Sequence, residues 1–241
     1  MSKGVIGAVL VAVLLGSTGA SAQSTLALEG ASVSFSQDFG GESPPGSALQ
    51  HDVSLDGSDP AFGLSFATRV TRHVGIRVGA LTGTLPVSGR MACPNPTCDF
   101  MVGNARVSIS GGVEFTTADD GDLQIWFVEV PIGFEPRPGV DLFVGPTLAR
   151  VDVDGSETPG TNGLGVEVDS SYPSFGLHLG GAVHYANWTA GLVARWIPVE
   201  VEVGVRLPTA LSLGTLFSEE SDVDLLSIGL MVGRRFGLSN R

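Results

Sequence analysis

Lysine is almost missing from this chain: Lys3 is the only one among 241 residues. Residues 23–241 therefore cannot supply a phosphate-loop lysine, a Schiff-base lysine or a kinase-type lysine. Cysteine is nearly as scarce, with only Cys93 and Cys98, in MACPNPTCDF. Neither has a histidine near it in sequence, so a metal site lacks ligands, whereas a disulfide across the turn of Pro94, Asn95 and Pro96 fits an exported chain. Closing so small a loop is worth roughly 2 kcal/mol on the chain-entropy model. Positive charge is also thin, 13 basic against 25 acidic residues and a net charge of −12. That balance repels phosphate and excludes nucleic acid as a partner. After residue 22 no apolar run is long enough for a transmembrane helix.

What is present begins with the leader. Lys3 forms a positive start, residues 5–15 an apolar run, and Ala20-Ser21-Ala22 an A-x-A cleavage site, so residues 1–22 read as a secretory signal peptide. The expectation is one β domain over residues 23–241, carrying a charge of −13 once Lys3 is removed. With 34 glycines and 14 prolines the chain disfavours helices, while its short valine-rich runs favour strands.

Period-two alternation predicts eight strands, over residues 26–35, 62–70, 74–82, 123–134, 141–151, 175–185, 188–205 and 225–236. Their links alternate strictly in length. Residues 71–72, 135–139 and 186–187 are tight turns, whereas 38–60, 83–121, 152–173 and 206–224 are long and hold most of the acids. In an up-and-down sheet this order places every long link at one end, an arrangement typical of transmembrane barrels. Residues 100–117 look strand-like inside a long link and are expected to extend outside the membrane, as is VEVEVGV at 199–205. A ten-strand barrel using both is the architectural alternative.

The faces differ chemically. Trp126, Val128, Val130, Ile132 and Phe134 share one side of a strand, with Phe127, Glu129, Pro131, Gly133 and Glu135 on the other. The oily side suits lipid, and the side with charge and small residues suits a narrow lumen. Trp126 and Phe134 bracket one oily face and Trp188 and Trp196 another, giving an aromatic girdle roughly 20 Å tall at ~3.3 Å per residue and about 40° of tilt. Arg69, Arg77, Glu129, Glu135, His178, His184 and Arg195 all fall on the inferred interior. They are expected to form a paired polar network that fills the barrel, because unpaired buried charges are costly.

The runs VEVPIGFE, LFVGPTLAR, FGLHLGGAVHY and LLSIGLMVGRRF resemble successive strands of small outer-membrane β-barrel proteins of the OmpA/OmpX type, the porin family in the broad sense. The likeness covers most of residues 23–241. It implies a closed antiparallel barrel of about eight strands, with outer-membrane lipid, lipopolysaccharide and the barrel assembly machinery as partners. It also implies a monomer in the outer membrane of a Gram-negative-type cell. In that family a terminal aromatic is the assembly signal, which here corresponds to Phe236. The implied role is structural or surface-interacting, with no catalytic residues, no cofactor and no metal site. Asp152–Thr158 and Ala118–Asp122 lack the spacing of a calcium loop, and no G-x-S-x-G elbow is present. A narrow pore, a lipid-modifying barrel enzyme and a secreted soluble sandwich are the alternatives.

Overall fold

A computed structural model describes residues 23–42, 48–102, 105–112, 114–154, 165–170, 173–206 and 215–236. Residues 1–22, expected from the sequence to be a signal peptide, lie outside the described residues, as do residues 43–47, 155–164 and 207–214 of three expected long links. The strands are β1 (Ser24–Glu42), β2 (Gln50–Arg69), β3 (Gly75–Ala92), β4 (Thr97–Val102), β5 (Ala105–Ser110), β6 (Glu114–Glu129), β7 (Ile132–Arg137), β8 (Val140–Asp154), β9 (Gly165–Ser170), β10 (Pro173–Tyr185), β11 (Trp188–Arg206) and β12 (Thr215–Phe236).

These segments make a closed antiparallel barrel with eight wall positions. β1 pairs with β2 and also with β12, from Ser24 opposite Phe236 to Ser34 opposite Leu226, which closes the ring. Two wall strands are interrupted without losing their place. Between β6 and β7 the chain passes Val130-Pro131, yet the pairing runs on, with Glu129 opposite Arg77 and Ile132 opposite Val74. The other neighbour agrees, with Thr147 opposite Glu129 and Val144 opposite Ile132. Proline lacks an N–H, and the wall absorbs the missing bond as a short break. β9 likewise prolongs β10 along β8, with Arg150 opposite Pro173 and Val153 opposite Ser170. The ring thus uses eight positions, and the ten-strand alternative gives way.

β4 and β5 form a separate hairpin beyond the wall, tied by the Cys93–Cys98 disulfide. On this hairpin Asp99 accepts hydrogen bonds from the Ser108 hydroxyl and the Arg106 guanidinium, which hold its carboxyl below the usual range.

All eight expected strands are present, and most are longer than alternation alone indicated. β2 starts at Gln50 and β12 at Thr215, so much of each long link is wall instead of loop. The reason is a change in what the two faces contain. On β11 the outward side reads Trp188, Leu192 and Trp196, then Glu200 and Glu202. Its inward side carries Arg195 and then Ile197, Val199, Val201 and Val203, all buried. β12 repeats this in reverse order: Leu230, Ile228 and Leu226 outward, then Asp224, Asp222 and Glu220, with Leu225 and Val223 buried inside. On β6, Val128 and Trp126 give way outward to Gln124 and Asp122, while Ile125 and Leu123 are buried within.

The polar interior expected for the whole lumen is therefore confined to the half near the short turns. Toward the long links the barrel has a dry apolar core of Val33, Phe35, Leu55, Leu85, Val151, Val201 and their neighbours, which Cys93 and Cys98 join. There it is built like a water-soluble barrel, and below it like a membrane one. The outward residues of β12 from Leu226 to Phe236 are apolar except for Arg234 beside the terminal ring. Ten rises at ~3.4 Å, tilted about 40°, give roughly 26 Å, the height of a bilayer-spanning apolar band. Leu28, Phe62, Leu179, Leu192 and Leu230, all more than half exposed, have no protein neighbour layer to cover them. A continuous oily belt of this extent needs lipid around it.

The narrow lumen also explains two glycines. A Cβ on Gly79 would collide with the Phe127 ring, and one on Gly180 would lie 2.7 Å from the ring of Phe143. Each bare backbone leaves space for the ring of its direct register partner on the adjacent strand.

Leu179 points into the belt and is 61% exposed. Leu179→Arg is expected to destabilise the barrel by about 2–4 kcal/mol in reversible unfolding from lipid, the cost of a cation near mid-bilayer. The same substitution at exposed Glu220, above the belt, is expected to change stability by less than about 0.5 kcal/mol.

Candidate functional site

Inside the lower half, four charges from four wall strands meet. Glu29 comes from β1, Arg77 from β3, Glu129 from β6 and Arg195 from β11. The Arg195 Nε donates to Glu129 Oε1 at 2.6 Å, and its Nη2 donates to Glu29 Oε2 at 3.1 Å while Nη1 donates to Glu29 Oε1. Arg77 Nη1 donates to the second oxygen of Glu129 at 3.1 Å. All four side chains are buried, with two positive and two negative charges balancing. Bidentate pairing of guanidinium with carboxylate is the geometry that best offsets desolvation of such groups. Aromatic faces add to it. The Arg195 guanidinium lies 4.1 Å from the centre of the Phe127 ring, and that of Arg77 lies 4.9 Å from Phe143.

His178 borders this layer. Its Nδ1 is 3.0 Å from the Thr147 hydroxyl, and its Nε2 and the Ser227 hydroxyl are buried without a partner among the described residues. Directly above come Phe127, Leu81 and the apolar core.

Below the layer a cavity of about 220 Å³ is set among the short turns. Asp141 at its wall binds the guanidinium of Arg69 and, at 2.7 Å, His184 Nε2, whose Nδ1 is 2.9 Å from the Thr189 hydroxyl. Ala27, Ala182 and Met231, packed with Phe143, form its apolar depth.

Six of the seven interior residues named from sequence thus sit in two groups: Arg77, Glu129, His178 and Arg195 in the buried layer, Arg69 and His184 at the cavity. Glu135 departs from expectation. It is exposed beside the turn into β8, where its Oε1 accepts the Gly139 N–H at 2.8 Å, so it is too far along the strand to meet Arg77 or Arg195. Its place is taken by Glu29. Alternation carried the signal for Glu29, which shares parity with Ala27 and Ala31, and for Asp141, which shares it with Phe143. Trp126, Phe134, Trp188 and Trp196 all face outward, and so does Phe236, whose ring is 5.9 Å from the Arg234 guanidinium. No group of metal-ligating side chains occurs among the described residues.

No family model matches the chain, and no curated protein does. Solved structures do. The chain is similar to the outer membrane protein AlkL, determined in lipid bilayers, with 16% identity, 92% of each chain covered and a TM-score of 0.50. It is also similar to the outer membrane protein OprG from Pseudomonas aeruginosa, at 14% identity over 91% of this chain and 99% of that one, TM-score 0.48. Neisserial surface protein A aligns at 12% identity, over 89% and 97% of the two chains, TM-score 0.41. This chain has the fold of an outer-membrane β-barrel. At such identities the likeness speaks for architecture alone, and architecture agrees with the belt and the closed ring. An outer-membrane barrel with a buried charge layer cannot leave one partner of that layer alone without cost.

Glu129 bridges both arginines. Glu129→Ala is expected to cost about 3–5 kcal/mol, because Arg77 and Arg195 would be left with Glu29 as their one buried counter-charge. Asp222→Ala, on the exposed outer wall, is expected to cost less than about 0.5 kcal/mol in the same urea titration of lipid-embedded protein.

Proposed function

We propose that this chain is a non-conducting outer-membrane barrel of the OmpA/OmpX type, with a structural or surface-interaction role and no catalysis. The observation that carries this reading is the double obstruction of the lumen. A charge-paired layer of Glu29, Arg77, Glu129 and Arg195 crosses it, and a dry apolar core fills the space toward the long links. Ions entering from the short-turn end would meet fixed, mutually satisfied charges and then a column of buried apolar side chains. On this reading residues 1–22 are a cleaved export signal and residues 23–241 a single barrel domain. The long links and the β4–β5 hairpin face the cell exterior, Phe236 serves the assembly machinery, and lipid and lipopolysaccharide surround a monomer.

The acidic upper wall supports a surface role. Asp38, Asp122, Glu200, Glu220, Asp222 and Asp224 project outward above the belt, where a partner would meet them first. The His178–Thr147 pair does not favour an enzyme, because both side chains are sealed from any substrate.

Purified protein in planar bilayers is expected to show no steady conductance, and steady ion-selective current through the wild-type chain would overturn the closed-barrel reading. Protease added to intact cells is expected to cut within residues 155–164, with an epitope at Ala186-Asn187 protected. The reverse pattern would invert the orientation.

A further inference from the structure

We infer that the cavity at the short-turn end is a binding site for a phosphate oxyanion. In a chain whose net charge is −12, four arginines line this single space: Arg69, Arg72, Arg77 and Arg235. Two carboxylates, Asp141 and Glu135, share the lining and both are already engaged. Asp141 holds Arg69 and His184, and Glu135 accepts the backbone N–H of Gly139.

Arg235 is the decisive residue. It lies on the inward side of β12, half-buried, and its guanidinium makes no hydrogen bond or ion pair with another side chain among the described residues. Arg72, exposed on the turn after β2, likewise makes no hydrogen bond or ion pair with another side chain among the described residues. Clustered cations without direct counter-ions in a partly enclosed space repel one another, and an anion entering between them removes that repulsion. Guanidinium groups present planar pairs of donors that match tetrahedral oxyanions, which is why arginine is preferred over a point-charge ammonium for phosphate.

Size is consistent. About 220 Å³ exceeds the 150 Å³ or so that accommodates benzene in a protein interior, so a phosphate with a small organic group on it can enter. Arg69, Arg72 and Arg235 lie toward the rim, while Ala27, Ala182, Met231 and Phe143 line the depth, beneath buried Arg77 and its partner Glu129. Two sources offer the same chemistry on this side of the barrel: free inorganic phosphate and the phosphodiester of a phospholipid headgroup.

The test compares adjacent arginines on opposite faces. Arg235 points into the cavity and exposed Arg234 points outward over Phe236, so Arg235→Gln and Arg234→Gln remove the same charge from different sides of one wall. Calorimetric titration of the full chain in uncharged detergent uses inorganic phosphate in one arm and a water-soluble short-chain phosphatidylglycerol in the other, each against a chloride background. Saturable binding is expected in at least one arm, weakened at least tenfold by Arg235→Gln and by less than twofold by Arg234→Gln. The arm that responds names the source. No saturable binding of either probe would overturn the site, and equal weakening by both variants would reduce it to diffuse attraction at a basic rim. Unfolding midpoints of the two variants, expected to match wild type, keep a folding defect from imitating lost binding.

Discussion

A sheet surrounded by hydrocarbon has no water to satisfy its edges, so every backbone N–H and C=O in the belt must find a partner within the wall. Everything else in this barrel follows from that requirement. β1 and β12, first and last in the described chain, must meet along eleven residue pairs to abolish the two edges. The same requirement explains how proline can stand in the wall at Pro131. The break is confined to Val130-Pro131 because neighbours on both sides hold the strand on either side of it, and nearby backbone groups still bond, Gly75 N–H to Pro131 O at 2.9 Å and Val130 N–H to Pro146 O at 3.1 Å.

Closure into eight wall positions fixes a lumen only wide enough for side chains. The occupants are chosen by the depth they occupy. Near mid-membrane the charges from β1, β3, β6 and β11 lock distant strands to one another. A two-plus, two-minus arrangement is worth little over an apolar core of the same shape, yet it severely penalises loss of any one member. Toward the long links, where water replaces lipid outside, the interior no longer has to be the polar side. Valine, leucine and phenylalanine fill it, and acids cover the exterior. The disulfide-tied β4–β5 hairpin places Cys98 against that core.

Strand positions, facing and tight turns were legible in the sequence because a period of two is a local property, visible in runs such as Phe175–Tyr185 without knowledge of the partner strands. Where alternation was read against one fixed meaning, lipid outside and polar inside, it failed. Residues 50–60 and 215–224 read as links for that reason, whereas residues 199–205, whose faces are exchanged in the same way, read correctly as strand rising beyond the membrane. Pairing inside the lumen was less legible. Glu29 and Glu135 both have inward parity, and only the stagger of eight tilted strands brings one to Arg195 and leaves the other at a turn. That stagger belongs to the closed ring and to no single strand.

The exchange of faces along β11 and β12 has a consequence for how uniquely the wall is specified. A slip of one residue would turn every side chain to the opposite face. In the lower half it would drive Arg195 and Glu129 into hydrocarbon. In the upper half it would bury Glu200 and Glu202 and push Val199, Val201 and Val203 into water. The two halves penalise the same error through unrelated physics, one through ion desolvation in lipid and the other through apolar exposure to solvent. Weakening one of them, by a change of detergent or of salt, therefore leaves the other to hold the alignment, as a second lock keyed to a different tool.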